Sequence, residues 1–204
     1  MSRITTLVLL PDNPTNCEFI DTLDDETAYE VRTVYNPQSA TITTVRNGAG
    51  AVIGSFEWKD VRSDVVTFGA DGVTMSSGDW LKKSRVPFKD TVTFEDSRGK
   101  TFKWKGNSPG LSLSLFIEDD KQQPVARFQK AHRILDKSTD PPTQVQVAAQ
   151  LLLDERANEI RNEVVLSFIL LEKSRRARES STNNRADADG IPVSRSYAHQ
   201  RGEL

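Results

Sequence analysis

At 204 residues, with 36% hydrophobic and 27% charged residues and a formal net charge of -2, the chain has the size of one domain with a polar remainder. That balance excludes a global positive field for nucleic acid or an anionic membrane, so only local patches remain to be considered. The single cysteine, Cys17, excludes an internal disulfide framework and points to a reducing, intracellular setting, the cytoplasm first and the nucleus as the alternative.

The N-terminal apolar run Leu7 to Leu10 stops at Pro11, too short for a secretory leader or a membrane span, and neither is expected. From Thr5 to about Lys130 the hydrophobic pattern has a period of two, which is the signature of half-buried strands. Tyr29 to Tyr35 alternates apolar and polar, Phe56 and Trp58 share a face opposite Glu57 and Lys59, and Phe102-Lys103-Trp104-Lys105 repeats the scheme. Leu111 to Leu115 is the cleanest alternation in the chain. Between these runs, Asn47-Gly48, Asp71-Gly72 and Arg98-Gly99 are expected to supply the positive backbone angles of tight hairpins. Many short strands on close turns imply an antiparallel meander, hence a sandwich or barrel.

Asp140-Pro141-Pro142 then reads as a helix start, an acidic cap followed by a proline that needs no donor. No proline or glycine interrupts Thr143 to Glu179, so a helical region is expected over about 142–179. A straight helix of that extent would be roughly 55 Å long, wider than a small domain, so a bend is expected across Asp154 to Asn162. Beyond it, Val164, Val165, Leu166, Phe168, Ile169 and Leu170 form a segment that is apolar on every side, which requires enclosure. Lipid would need about 20 apolar residues, so protein is the expected container and the segment its plug. Lys173, Arg175, Arg176 and Arg178 then read as a solvated helix end that complements the macrodipole, with a nuclear-localisation or acidic-lipid role as the rival reading. Residues 180–204 are polar enough to be expected as a disordered tail.

Leu10 to Pro14, Phe56-Glu57-Trp58, Asp79 to Lys83, Phe102 to Lys105 and the run from Val164 to Glu179 together resemble an uncharacterised domain family of mushroom-forming fungi. That family is similar to the tubby-like and LURP-one/phospholipid-scramblase proteins. The resemblance implies a tubby-like closed antiparallel β-barrel, mainly β with a C-terminal α element, enclosing the hydrophobic helix within residues 1–179. It implies no catalytic mechanism.

Chemistry-bearing constellations are sparse. Two histidines, His132 and His199, and one cysteine cannot assemble a zinc site, and no metal or cofactor is expected. The acidic clusters Asp21 to Glu26 and Glu118 to Asp120 lack calcium-loop order and read as solvated turns. No nucleophile elbow occurs, and His132 reads as a structural or surface histidine, so an enzyme is not expected. Trp58 and Trp104 share faces with Phe56 and Phe102 and read as core, which leaves Trp80 as the exposed aromatic. Around it, Lys82, Lys83, Arg85 and Lys89 make a basic stretch suited to phosphate. Tubby-like proteins bind phosphoinositide headgroups through a basic surface, and by that resemblance these five residues are the candidate ligand patch. The expected function is a non-catalytic binding or adaptor module for phospholipid headgroups or a protein partner, with no nucleic acid. The alternative is a structural or regulatory protein acting through its basic helix end and tail.

Overall fold

The computed structural model describes residues 3–188 apart from 39, 60, 87–89 and 121. In chain order the elements are β1 (Thr5–Leu10), β2 (Cys17–Asp21), β3 (Glu26–Val34), β4 (Thr41–Asn47), β5 (Val52–Trp58), β6 (Val65–Phe68) and β7 (Thr74–Ser76), then the one-turn helix α1 (Ser77–Trp80). β8 (Lys82–Lys83), β9 (Val92–Glu95), β10 (Thr101–Lys105), β11 (Ser114–Ile117), β12 (Ala126–Gln129), β13 (His132–Asp136), β14 (Thr143–Val147) and β15 (Gln150–Leu153) follow. The chain closes with α2 (Glu155–Glu159) and α3 (Arg161–Ala188).

Thirteen strands form one antiparallel sheet in the order β7-β6-β5-β4-β3-β2-β1-β15-β12-β11-β10-β9-β8. The period-two pattern dictates this: Tyr29 and Val31 of β3 and Phe102 and Trp104 of β10 turn inward, while Arg32 and the lysines beside Trp104 turn away from the core. Seating β15 between β1 and β12 brings Thr5 opposite Leu153 and joins the two ends of the domain.

α3 packs on the concave face of this sheet and touches strands in both halves of it. Phe168 meets Phe19 of β2 and Phe128 of β12, the Trp104 indole of β10 donates to Ser167 Oγ at 2.9 Å, and Leu166 lies against Gly54 of β5. One helix reaches all of these only because the sheet curls around it. Val164, Val165, Phe168 and Ile169 are fully buried, and Leu166 and Leu170 nearly so. Each such side chain contributes about 1.5–3 kcal/mol of transfer free energy. The one polar member, Ser167, is satisfied in both directions, since its hydroxyl donates to the Val164 carbonyl.

The sheet does not close, which corrects the expected barrel. β7 and β8 are its two edges, and no backbone ladder joins them among the described residues. Between these edges the chain runs through α1 instead: Ser76 Oγ accepts from the Asp79 amide, and the Leu81 amide donates to the Ser77 carbonyl. Those backbone groups are consumed within a helical turn, and the edges it separates, three and two residues long, pair only with β6 and β9 among the described residues. The architecture is therefore a large, curled, open antiparallel sheet with a C-terminal helix on its inner face.

The helical region expected over 142–179 also needs correction. Asp140-Pro141-Pro142 lies in the turn of the β13–β14 hairpin, and residues 143–147 and 150–153 are strands. Thr143-Gln144-Val145-Gln146-Val147 alternates, and pairing partners for both strands exist elsewhere in the chain, so tertiary pairing overrides the lack of breakers. The expected bend is present. Asp154 caps α2 by accepting from the Ala157 amide at 2.9 Å, and Ile160 breaks the helix before α3 begins. The helix continues to Ala188, past the position 180 where a tail was expected, and residues 189–204 lie outside the described residues.

Turn chemistry is placed as expected, and Gly99 has the expected positive φ. At the other two turns the positive φ falls at Gly50 and Gly69 rather than at Gly48 and Gly72. At Gly72 a Cβ would lie 1.6 Å from the Phe68 carbonyl oxygen, so close backbone approach is what demands glycine there.

Candidate functional site

Strand directions sort the connections into two ends. At one end lie the turns beside α2, such as 22–25 and 96–100. At the other, where the C-terminal half of α3 leaves the sheet, lie residues 11–16, 35–38, 61–64, 84–86 and 106–113 and the β13–β14 hairpin. This exit end is held by a charge network. Glu172, fully buried, accepts from Arg175 Nε and Nη2 at 2.7 and 2.8 Å and from Arg176 Nε at 2.7 Å. Arg175, 2% exposed, also donates to Glu179 at 2.7 Å. Arg176 reaches Asp12, Arg178 donates to the Asn107 carbonyl, and Lys173 lies 3.4 Å from the Trp58 ring centroid. The basic run Lys173 to Arg178 is thus engaged by the chain's own groups, and Arg175 is a core residue rather than a solvated one.

The candidate patch lies to one side of this end, at the gap between the sheet edges. Lys82 and Lys83 on β8 and Arg85 after it are exposed, with Lys82 within 3.6 Å of Glu95. Lys89 lies outside the described residues. Trp80 corrects the expectation of an exposed aromatic: it is 8% exposed, its ring 4.9 Å edge-on from Phe68 and 5.9 Å from Phe94. Its burial follows from α1, whose single turn points the indole inward between β6 and β9. Trp58, expected in the core, is half-buried: it stacks on Phe56 and donates from Nε1 to Thr43 Oγ1 at 2.7 Å. Trp104 is fully buried.

What the sequence pattern missed is an apolar rim. Leu10, Val34, Tyr35, Val61, Val86 and Leu111 are exposed, Val61 at 96% and Tyr35 at 74%; the last four belong to connections of the exit end, and Leu10 and Val34 are the last residues of the strands that lead into it. The signal was present as apolar residues inside turn chemistry, such as Tyr35 before Asn36-Pro37 and Leu111 after Gly110. The connection that carries Val61 and Arg62 reaches α1 at Asp64, whose carbonyl accepts from the Ser77 amide at 2.7 Å, and Lys83, Arg85 and Val86 follow α1 in the chain. Exposed cations and exposed valines therefore occur together on the two segments of chain next to α1.

The remaining chemistry-bearing groups are occupied by structure. Cys17 is fully buried, and desolvation pushes its thiol up to about 12. Asp21 pairs with Arg161 at 2.9 Å and Asp120 with Arg156 at 3.4 Å. His132 is exposed and opens β13. Among the described residues, no cluster of three or more His, Cys, Asp or Glu side chains is placed to hold a metal ion.

Residues 12–177 match a family of unknown function, DUF6593. The chain belongs to that family. The matched span runs from Asp12 of the charge network to Ala177 on α3 and takes in β2 to β15, α1, α2 and the first part of α3. A crystal structure of a protein from Arabidopsis thaliana is similar, at 14% identity over 81% of this chain and 90% of that one, with a TM-score of 0.46. No curated protein matches the chain. No helix among the described residues is long and apolar enough to cross a membrane.

Proposed function

We propose that this member of DUF6593 is a non-catalytic binding module that contacts phospholipid headgroups through the exit end, at the gap between the sheet edges. The observation that carries this reading is that the two segments next to α1 carry exposed cations, Arg62 on one and Lys83 and Arg85 on the other, each with an exposed valine, Val61 or Val86. Cations attract an anionic surface over a Debye length of about 8 Å, and apolar tips then gain by leaving water. The inner face of the sheet is filled by α3, so contact with a ligand falls to the outer surface. The sequence resemblance to tubby-like and LURP-one/scramblase proteins agrees with it. A purely structural role acting through the basic helix end is disfavoured, because those cations are already bound within the chain.

Liposome co-sedimentation with and without phosphoinositide tests the proposal. Near an anionic surface each Lys or Arg contributes about 1 kcal/mol, so Lys82→Glu/Lys83→Glu/Arg85→Glu is expected to weaken binding by roughly a hundred-fold or more. Binding that is absent in the wild type, or unchanged in the triple variant, overturns it. Retention of binding to a protein partner by the triple variant would favour the adaptor reading instead.

A further inference from the structure

The β13–β14 hairpin stands apart from the main sheet. It is a separate two-stranded ribbon inserted between β12 and β15, with five residue pairs in unbroken register from His132 opposite Val147 to Asp136 opposite Thr143. Ile134 and Leu135 on β13 are 46% and 53% exposed, and Val145 on β14 is exposed too. A lone two-stranded ribbon is marginal in water, and an unpaired straight edge is a template for another strand. This edge has no bulge and no proline within it.

We propose that β13 pairs antiparallel with β13 of a second copy of this chain, on a two-fold axis through Ile134, forming a four-stranded sheet in the order β14-β13-β13-β14. A two-fold normal to a sheet places residues of equal parity opposite each other, so only a few registers are possible, and charge selects among them. Centred on Ile134, His132 faces Asp136 of the second copy, twice over, and Ile134 faces itself. On the other face Arg133 lies opposite Leu135, where its stem covers the apolar side chain. Centring on Arg133 would set two guanidinium groups together, and centring on Leu135 would set Arg133 against Lys137. The β14 edge, Thr143 to Val147, is uncharged and fixes no register. Within its own chain His132 touches the Lys130 carbonyl through Nδ1 alone, and Asp136 Oδ1 accepts from the Ser138 amide and hydroxyl. Those Ser138 hydrogen bonds hold the Asp136 carboxyl below its ordinary range, so it is an anion at neutral pH.

Sedimentation equilibrium of the full chain is expected to show a monomer–dimer equilibrium that Ile134→Lys abolishes while the thermal melting curve stays unchanged. A crosslinking series reads the register independently of that variant's folding. Under mild oxidation Ile134→Cys is expected to form a covalent dimer, since Cys17 is buried, whereas Arg133→Cys forms one only when mixed with Leu135→Cys. A wild type that is monomeric at every concentration overturns the proposal. So does a dimer that survives Ile134→Lys, or crosslinking through Val145→Cys in place of Ile134→Cys.

Discussion

Removing the Glu172 carboxylate is the sharpest test of how the helix is anchored. The carboxylate receives three guanidinium N–H groups, two from Arg175 and one from Arg176, in a site with no solvent exposure of its own. In Glu172→Ala, Arg175 stays buried and retains only its bond to Glu179, which is itself 34% exposed. Breaking a buried pair by deleting one partner costs about 3–5 kcal/mol. The surviving Glu179 contact places this case near about 3 kcal/mol, and the freed Arg176, still on Asp12 and partly exposed, adds little beyond that. Replacing both charges, as in Glu172→Leu with Arg175→Met, removes the stranded cation and is expected to return stability to within about 1 kcal/mol of the wild type. The assay is urea unfolding followed by far-UV circular dichroism, with midpoints and slopes compared for Glu172→Ala and across the cycle of wild type, Glu172→Leu, Arg175→Met and the double variant. A loss under about 1 kcal/mol in Glu172→Ala, or strictly additive costs in the double variant, would refute the reasoning.

Phe168→Asp places an unpaired carboxylate among Phe19, Phe128 and the rest of α3's buried face, and is expected to yield no folded protein; a soluble variant melting like the wild type would show that the segment is not enclosed. Burial raises the Asp96 carboxyl, but the Lys100 and Arg98 amides outweigh it and hold it below its ordinary value of 3.8. Because the folded value is depressed, Asp96 stabilises above about pH 4 and this contribution fades as pH falls through its lower folded value. Asp96→Asn is therefore expected to melt lower at pH 7 and to converge on the wild type under acid; a gap that widens at low pH would contradict it. Cys17 is expected to resist thiol reagents in the native protein and to react once urea unfolds it, a contrast read by absorbance with a chromogenic disulfide.

The strands were legible because their alternation is local. Tyr29 and Val31, or Phe102 and Trp104, announce an inner face without reference to the rest of the chain. The helix on the inner face was legible for the opposite reason, since Val164 to Leu171 has no polar side and so no place on a surface. Closure was not legible. It depends on whether β7 and β8 pair, and that is decided by the turn of α1 between them rather than by the alternation of either strand. Trp80 was misplaced on the same account, because its cationic neighbours describe the surface while Phe68 and Phe94, which bury it, come from elsewhere in the chain. Residues 142–153 failed through one ambiguous signal: Pro141-Pro142 suits a helix start and a hairpin turn alike, and the alternation of Thr143 to Val147 should have decided between them.

The position of β15 in the sheet also sets when the domain can assemble. β1 is made early and finds one of its two neighbours in β15, with Thr5 opposite Leu153, and the apolar residues of β2, β5, β10 and β12 wait for α3 to cover them. On the ribosome the meander from β1 to β7 therefore emerges with its inner side uncovered, and the final structure is reached only after residues 164–171 have left the exit tunnel. Contacts of such sequence separation make folding slow and late. For as long as it lasts, the nascent sheet depends on chaperones or on its own turns to keep that side from other chains.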